Sequence, residues 1–98
     1  MDYTPYQQAL IDVVLATKFK VEERDYYLGT RNSGCKCPVA LAIRRQLKTD
    51  AVVSICAATV RIDSVWFMTP ESVDSYVKAY DRRDPFCFTL DFQLEKVA

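Results

Sequence analysis

Three prolines, Pro5, Pro38 and Pro70, each follow a residue able to cap a helix (Thr4, Cys37, Thr69) and precede apolar residues at three- and four-residue spacing. A proline at the first helical position sacrifices no hydrogen bond, because the N–H there has no intrahelical partner, and its fixed φ suits the helix. Three helix starts follow. The first helix runs to about Thr17, with Tyr6, Leu10, Val13 and Val14 as its core face and Gln7, Gln8 and Asp12 turned outward. The second carries the ladder Val39, Ile43 and Leu47 and ends in Arg44, Arg45 and Lys48, where positive charge suits the negative end of the helix dipole. The third has Glu71 in its first turn, the stripe Val73, Tyr76, Val77 and Tyr80, and Arg82-Arg83 at its end.

Between these helices the apolar period shortens to two. Lys18 to Glu23 alternates charged residues with Phe19 and Val21, the pattern of a half-buried strand. Asp25 caps a short helical turn through Leu28 that Gly29 ends, and Thr30 to Lys36 reads as a loop. Ala51 to Ile62 is too long for one ordinary strand and breaks into two near Ala57-Ala58, after which Asp63-Ser64 turns the chain into Val65 to Met68. A final strand from Phe86 to Leu94 buries Phe86, Phe88, Leu90 and Phe92 on one side. The expected fold is α+β: one domain over residues 1–98, with a single, mostly antiparallel sheet of four to five strands and about three helices packed on it.

The 98 residues are half apolar, with 13 basic and 13 acidic side chains, so no global field favours bulk nucleic acid or an acidic membrane surface. Histidine is absent, which removes the usual general base at neutral pH and most zinc-hydrolase arrangements. With two glycines the chain carries no phosphate-binding glycine loop and no nucleophile elbow. A non-enzymatic protein without a cofactor or resident metal is therefore expected. Residues 1–8 have no basic region ahead of an apolar stretch, and the apolar segment 9–16 is interrupted by Asp12 and too short to span a bilayer. These features point to the cytoplasm, where Cys35, Cys37, Cys56 and Cys87 stay reduced.

Two local sequences could carry chemistry. Cys35-Lys36-Cys37-Pro38 sets two thiols and a lysine at a helix start, a setting that lowers thiol pKa, and with Cys56 and Cys87 it could form a four-thiolate metal site. Against the metal stands the spacing, since Cys56 and Cys87 fall in separate strands; packing is the preferred role for these cysteines. The loop ahead of the same helix offers Arg31, Asn32, Ser33 and Lys36 as donors to an anion, with Tyr26 or Tyr27 able to stack on a base. Arg31, Asn32, Ser33, Lys36 and Tyr26 are thus the candidate ligand-binding residues. Glu22, Glu23, Asp25, Asp81, Asp84 and Asp91 show no paired-carboxylate spacing and are expected in solvent. Trp66 and Phe67 are neighbours on a strand, so one faces out if the other faces in; an exposed aromatic contact is one reading and core packing of both the preferred one.

Cys37-Pro38-Val39-Ala40-Leu41-Ala42-Ile43, Pro70 before a helix, and Pro85-Phe86-Cys87-Phe88-Thr89-Leu90 together resemble small proteins of tailed bacteriophages, over roughly residues 18 to 92. The helix from Thr4 to Thr17 departs from that pattern. The resemblance implies a phage protein made in the bacterial cytoplasm that blocks or sequesters a host component, either a host protein or a small anionic metabolite such as a nucleotide signal. It supplies no activity for particular residues. A thiol-redox or metal module on Cys35 and Cys37, and a structural or assembly role, are the alternatives, and self-association is compatible with all three.

Overall fold

Each of the three proline signals opens a helix in the computed structural model, which describes residues 2–56, 58–84 and 88–97. Helix α1 spans Pro5–Ala16, and Thr4 closes a reciprocal cap with Gln7: the Gln7 amide donates to Thr4 Oγ1 at 3.1 Å and the Thr4 amide to Gln7 Oε1 at 2.9 Å. Strand β1 (Phe19–Val21) and the six-residue helix α2 (Glu23–Leu28) follow, and then α3 (Pro38–Leu47). Strands β2 (Val53–Cys56), β3 (Thr59–Ile62) and β4 (Val65–Met68) lead into α4 (Glu71–Arg82), and β5 (Leu90–Phe92) and β6 (Glu95–Lys96) finish the order. The fold is α+β with antiparallel pairing throughout.

The expected single sheet is two. β1 pairs with β5, while β2, β3, β4 and β6 form a second sheet in that order. The physical reason lies at the free edge of β1. There the Lys20 amide donates to Gln46 Oε1, Gln46 Nε2 donates to the Lys18 carbonyl at 3.1 Å, and Arg45 Nη2 donates to the Lys20 carbonyl at 2.8 Å. Side chains of α3 thus stand where a neighbouring strand would be, and the edge is closed to further pairing.

The residues from Leu90 onward serve both sheets: Phe92 pairs opposite Phe19, and Glu95, just beyond the expected strand, opposite Met68. The expected continuous strand therefore shortens to Leu90–Phe92, and a second strand appears where none was expected. Phe92 and Leu94 are buried, but Phe88 is 40 % exposed and lies ahead of the strand, so its expected place in the core is wrong. Phe86 and Cys87 lie outside the described residues.

One apolar cluster joins the layers. Phe19, Val21, Val39, Ile43, Val60, Ile62, Phe67 and Val73 are fully buried or nearly so, and the rings of Phe19 and Phe92 stack at 5.4 Å. The ladders on α3 and α4 point into it as expected. On α1 the buried pair is Ile11 and Val14, whereas Tyr6 and Val13 are exposed. The α4 start also differs: Pro70 occupies the cap position, and the Thr69 hydroxyl is buried with no hydrogen-bond partner among the described residues instead of capping. Both glycines sit where backbone and side chain come close. A Cβ on Gly29 would stand 2.8 Å from Pro38 Cδ, and one on Gly34 would stand 2.6 Å from the Ile55 carbonyl oxygen.

Candidate functional site

The loop between α2 and α3 is pinned at both ends. The Thr30 amide donates to the Lys36 carbonyl at 2.8 Å, and the Ile55 amide donates to the Gly34 carbonyl at 2.8 Å, which lays the loop along β2. Ser33 Oγ accepts from the Lys36 amide at 3.2 Å, and Asn32 sits in the left-handed region at φ 58° with its amide on Asp81 Oδ1 at 2.9 Å. Arg31 turns to α4: its Nε donates to the Tyr80 carbonyl at 3.0 Å, and its guanidinium carbon lies 4.8 Å from the Tyr80 ring centroid. This carbonyl belongs to the last turn of α4, so Arg31 also serves as a positive charge at that helix end.

The five candidate ligand-binding residues do not converge. Arg31 is held by Tyr80, and Tyr26 belongs to a ring cluster with Tyr27, Tyr80 and Phe88 at centroid distances of 5.4, 5.1 and 4.6 Å. Asn32 and Ser33 line a depression that also contains Asp74, Lys78 and Asp81; Lys78 is paired with Asp74 at 2.9 Å, which leaves no unpaired cation in the lining to meet an anion. Lys36 faces elsewhere. The first residues of α3, from Cys37 to Ala40, are buried, with Pro38 packed beside Gly29, so this helix start is not open to a ligand.

Lys36 instead joins a second group. An open groove of about 840 Å3 runs between the Cys35-Lys36 corner, the last turns of α3 and the segment 49–52, lined by Lys36, Arg44, Arg45, Lys48, Asp50 and Val52 among others. Arg44 reaches the corner by donating from Nη2 to the Cys35 carbonyl at 2.6 Å. Among the described residues Lys36, Arg44 and Lys48 form no ion pair, and Asp50 is the one acid in the lining. The basic cluster that the helix dipole alone explains in the sequence is therefore also one wall of a groove. What joins its members is the left-handed cap at Lys48, φ 52°, which turns the chain back across the end of α3.

Arg45 has a separate task. Its Nη2 and Nε donate to Asp25 Oδ2 and Oδ1 at 2.8 and 3.3 Å, and its Nη1 lies 3.4 Å from Glu22 Oε1. Asp25 is 3 % exposed and also accepts from the Glu22 amide at 2.8 Å. The expectation of a solvated Asp25 that caps the turn is corrected: Glu22 is the cap, and Asp25 is a buried anchor between α2 and α3. The hydrogen bond to Asp25, with the carboxylates nearby, raises the Arg45 pKa further above its ordinary value.

The thiols stand apart from one another in character. Cys35 and Cys56 are exposed, and Cys37 is buried. Burial raises the Cys37 thiol pKa, outweighing the opposite pull of the Ala40 and Val39 amides, so the expected activation at the helix start does not apply to Cys37. Among the described residues no group of three or more cysteine, aspartate or glutamate side chains could hold a metal ion. No described helix is long and apolar enough to cross a membrane.

The chain matches no family model, no curated protein and no solved structure.

Proposed function

We propose that this is a non-enzymatic binding protein whose ligand is a small phosphorylated metabolite, a nucleotide being the leading class, held in the groove at the end of α3. The observation that carries this reading is the gathering of Lys36, Arg44 and Lys48, without carboxylate partners among the described residues, on one open groove. Arg44 has a planar fork suited to a phosphate, the two lysines supply mobile charge, and Ala51 and Val52 offer an apolar surface for a base or sugar. The resemblance to phage proteins gives the setting: sequestering a host signal in the bacterial cytoplasm.

A competing reading has its own observation. Tyr27 and Leu28, 64 % and 75 % exposed, end α2, and the Tyr27 ring lies 5.8 Å from that of the exposed Phe88, which gives exposed apolar surface suited to a host protein.

Calorimetric titration of linear and cyclic nucleotides into the wild type and into Lys36→Glu/Lys48→Glu separates the two. Both lysines are exposed, so the double variant keeps its fold, and a groove ligand loses about 100-fold in affinity or more, at roughly 1.4 kcal/mol per tenfold. Binding that survives the double charge reversal, or no heat from any nucleotide at millimolar concentration, refutes the groove reading.

A further inference from the structure

The four-stranded sheet packs one face on the core and leaves the other open. Along β3 and β4 the inward residues Val60, Ile62, Val65 and Phe67 are buried, while Arg61, Trp66 and Met68 face out. The open face is amphipathic in a particular way. Trp66, 49 % exposed, and Met68, 39 % exposed, lie along its middle on β4. Arg61 stands directly opposite Trp66 on one flanking strand, and Glu95 directly opposite Met68 on the other. Neither Arg61 nor Glu95 forms an ion pair among the described residues.

We propose that this face pairs with the same face of a second copy, about a two-fold axis running parallel to β4. That operation stacks β4 on β4, so that Trp66 and Met68 of each copy meet across the axis. It also carries β3 of one copy over β6 of the other. Arg61 then lies across from the strand bearing Glu95, offset by two residues, about 7 Å, along the strand, and the two long side chains together reach across the roughly 10 Å between packed sheets. The contact is made twice by symmetry, so each arginine has a glutamate of opposite charge. A like-facing arrangement about the perpendicular in-plane axis would set Arg61 over its own strand and leave both charges unanswered.

Area sets the strength. Three strands of four residues and the two residues of β6, about 4.8 Å apart, give a footprint of roughly 230 Å2 per copy, well below the roughly 800 Å2 per partner of a stable interface. So small a contact makes the dimer weak and reversible, and it is sought at the upper end of the concentration range.

Trp66 is the chain's single tryptophan, so its emission reports on the interface directly. Sedimentation and fluorescence are measured from about 5 μM to 1 mM. The expected result is a monomer–dimer transition with Trp66 emission moving to the blue as the dimer forms. Arg61→Glu alone and Glu95→Arg alone should each be monomeric at 1 mM, with unchanged circular dichroism because both sites are exposed. An equimolar mixture of the two should dimerise like the wild type, since each reversed charge then meets its complement in the other variant. A wild type that stays monomeric at 1 mM overturns the proposal, and so does a mixture that associates no better than its components. Dimerisation unaffected by Trp66→Ala overturns it equally, by placing the contact elsewhere.

Discussion

Replacing Asp25 by asparagine changes one oxygen for an NH2 at constant volume, and the structure sets what that removes. The carboxylate accepts three hydrogen bonds, two of them from the Arg45 guanidinium and one from the Glu22 amide, at a site 3 % exposed. Breaking a fully buried ion pair costs about 3–5 kcal/mol, because the surviving charge is left without compensation. Here the surviving partner is better placed: the Arg45 side chain is 24 % exposed, and it keeps Glu22 at 3.4 Å and the Lys20 carbonyl at 2.8 Å. The cost of Asp25→Asn is accordingly about 2–3 kcal/mol, part of it from turning a donor toward donors. At about 4–8 °C per kcal/mol for a domain of this size, Tm should fall by about 10–20 °C. Urea unfolding followed by circular dichroism measures it, with Arg45→Met and the double variant completing a cycle whose coupling should reach about 1.5 kcal/mol. A loss below about 0.5 kcal/mol, or additive single effects, refutes the claim that this pair anchors α2 to α3.

Phe19→Ala should cost about 3–5 kcal/mol in the same assay, and Phe88→Ala only about 1 kcal/mol, because Phe19 is fully buried while Phe88 is 40 % exposed; equal costs would contradict the division of the last strand. Gly34→Ala should destabilise by about 1–3 kcal/mol, since its Cβ would meet a backbone oxygen at 2.6 Å and the loop would have to leave β2; an unchanged urea midpoint would show that the loop is not pinned there. Arg31→Ala should lower stability through the lost Tyr80 contacts and leave nucleotide titrations unaltered; the opposite result would restore Arg31 to the ligand site. Burial raises the pKa values of Cys37, Tyr76 and Tyr80, so the folded state favours their neutral forms. Their contribution to stability is complete below about pH 8.5 for the thiol and about pH 10 for the phenols and is lost as pH rises toward the folded-state values; a urea midpoint constant from pH 8 to pH 11 would exclude it.

Much of this architecture is written in local signals. The Thr4-Pro5 and Cys37-Pro38 steps place two helix starts to the residue, and the alternation from Val53 to Met68 gives the three-strand meander, because capping and period-two burial depend on neighbours in sequence. The third proline step is off by one residue at its start, since a hydroxyl before proline does not say whether the turn begins at that proline or after it. Pairing was less legible. The alternation from Phe86 to Leu94 announces a strand with two faces but names no partner, and the division between sheets depends on Gln46 and Arg45 closing an edge far away in sequence. The buried pair of Asp25 and Arg45 is hidden for the same reason: each residue has an adequate local explanation, as a cap and as a complement to the helix dipole, and only the packing of α2 on α3 joins them. Of the candidate site, Lys36 was found by its place beside the loop, whereas Arg44 and Lys48 gain significance only once the cap at Lys48 folds the chain back.

The division of the last segment between β5 and β6 has a consequence for synthesis. Strand β1 emerges early, yet its pairing partner β5 lies about 70 residues further on, and the outer edge of β4 is covered only by the residues that follow. At roughly 5–20 residues per second, β1 spends about 4–14 s without its mate while α2, α3 and the β2–β4 meander are made. Neither sheet can be completed from the first 80 residues alone. The β1–β5 pair can close once Leu90–Phe92 has arrived and the β4 edge only with Glu95–Lys96 just behind it, so a ribosome halted before Leu90 holds both edges open.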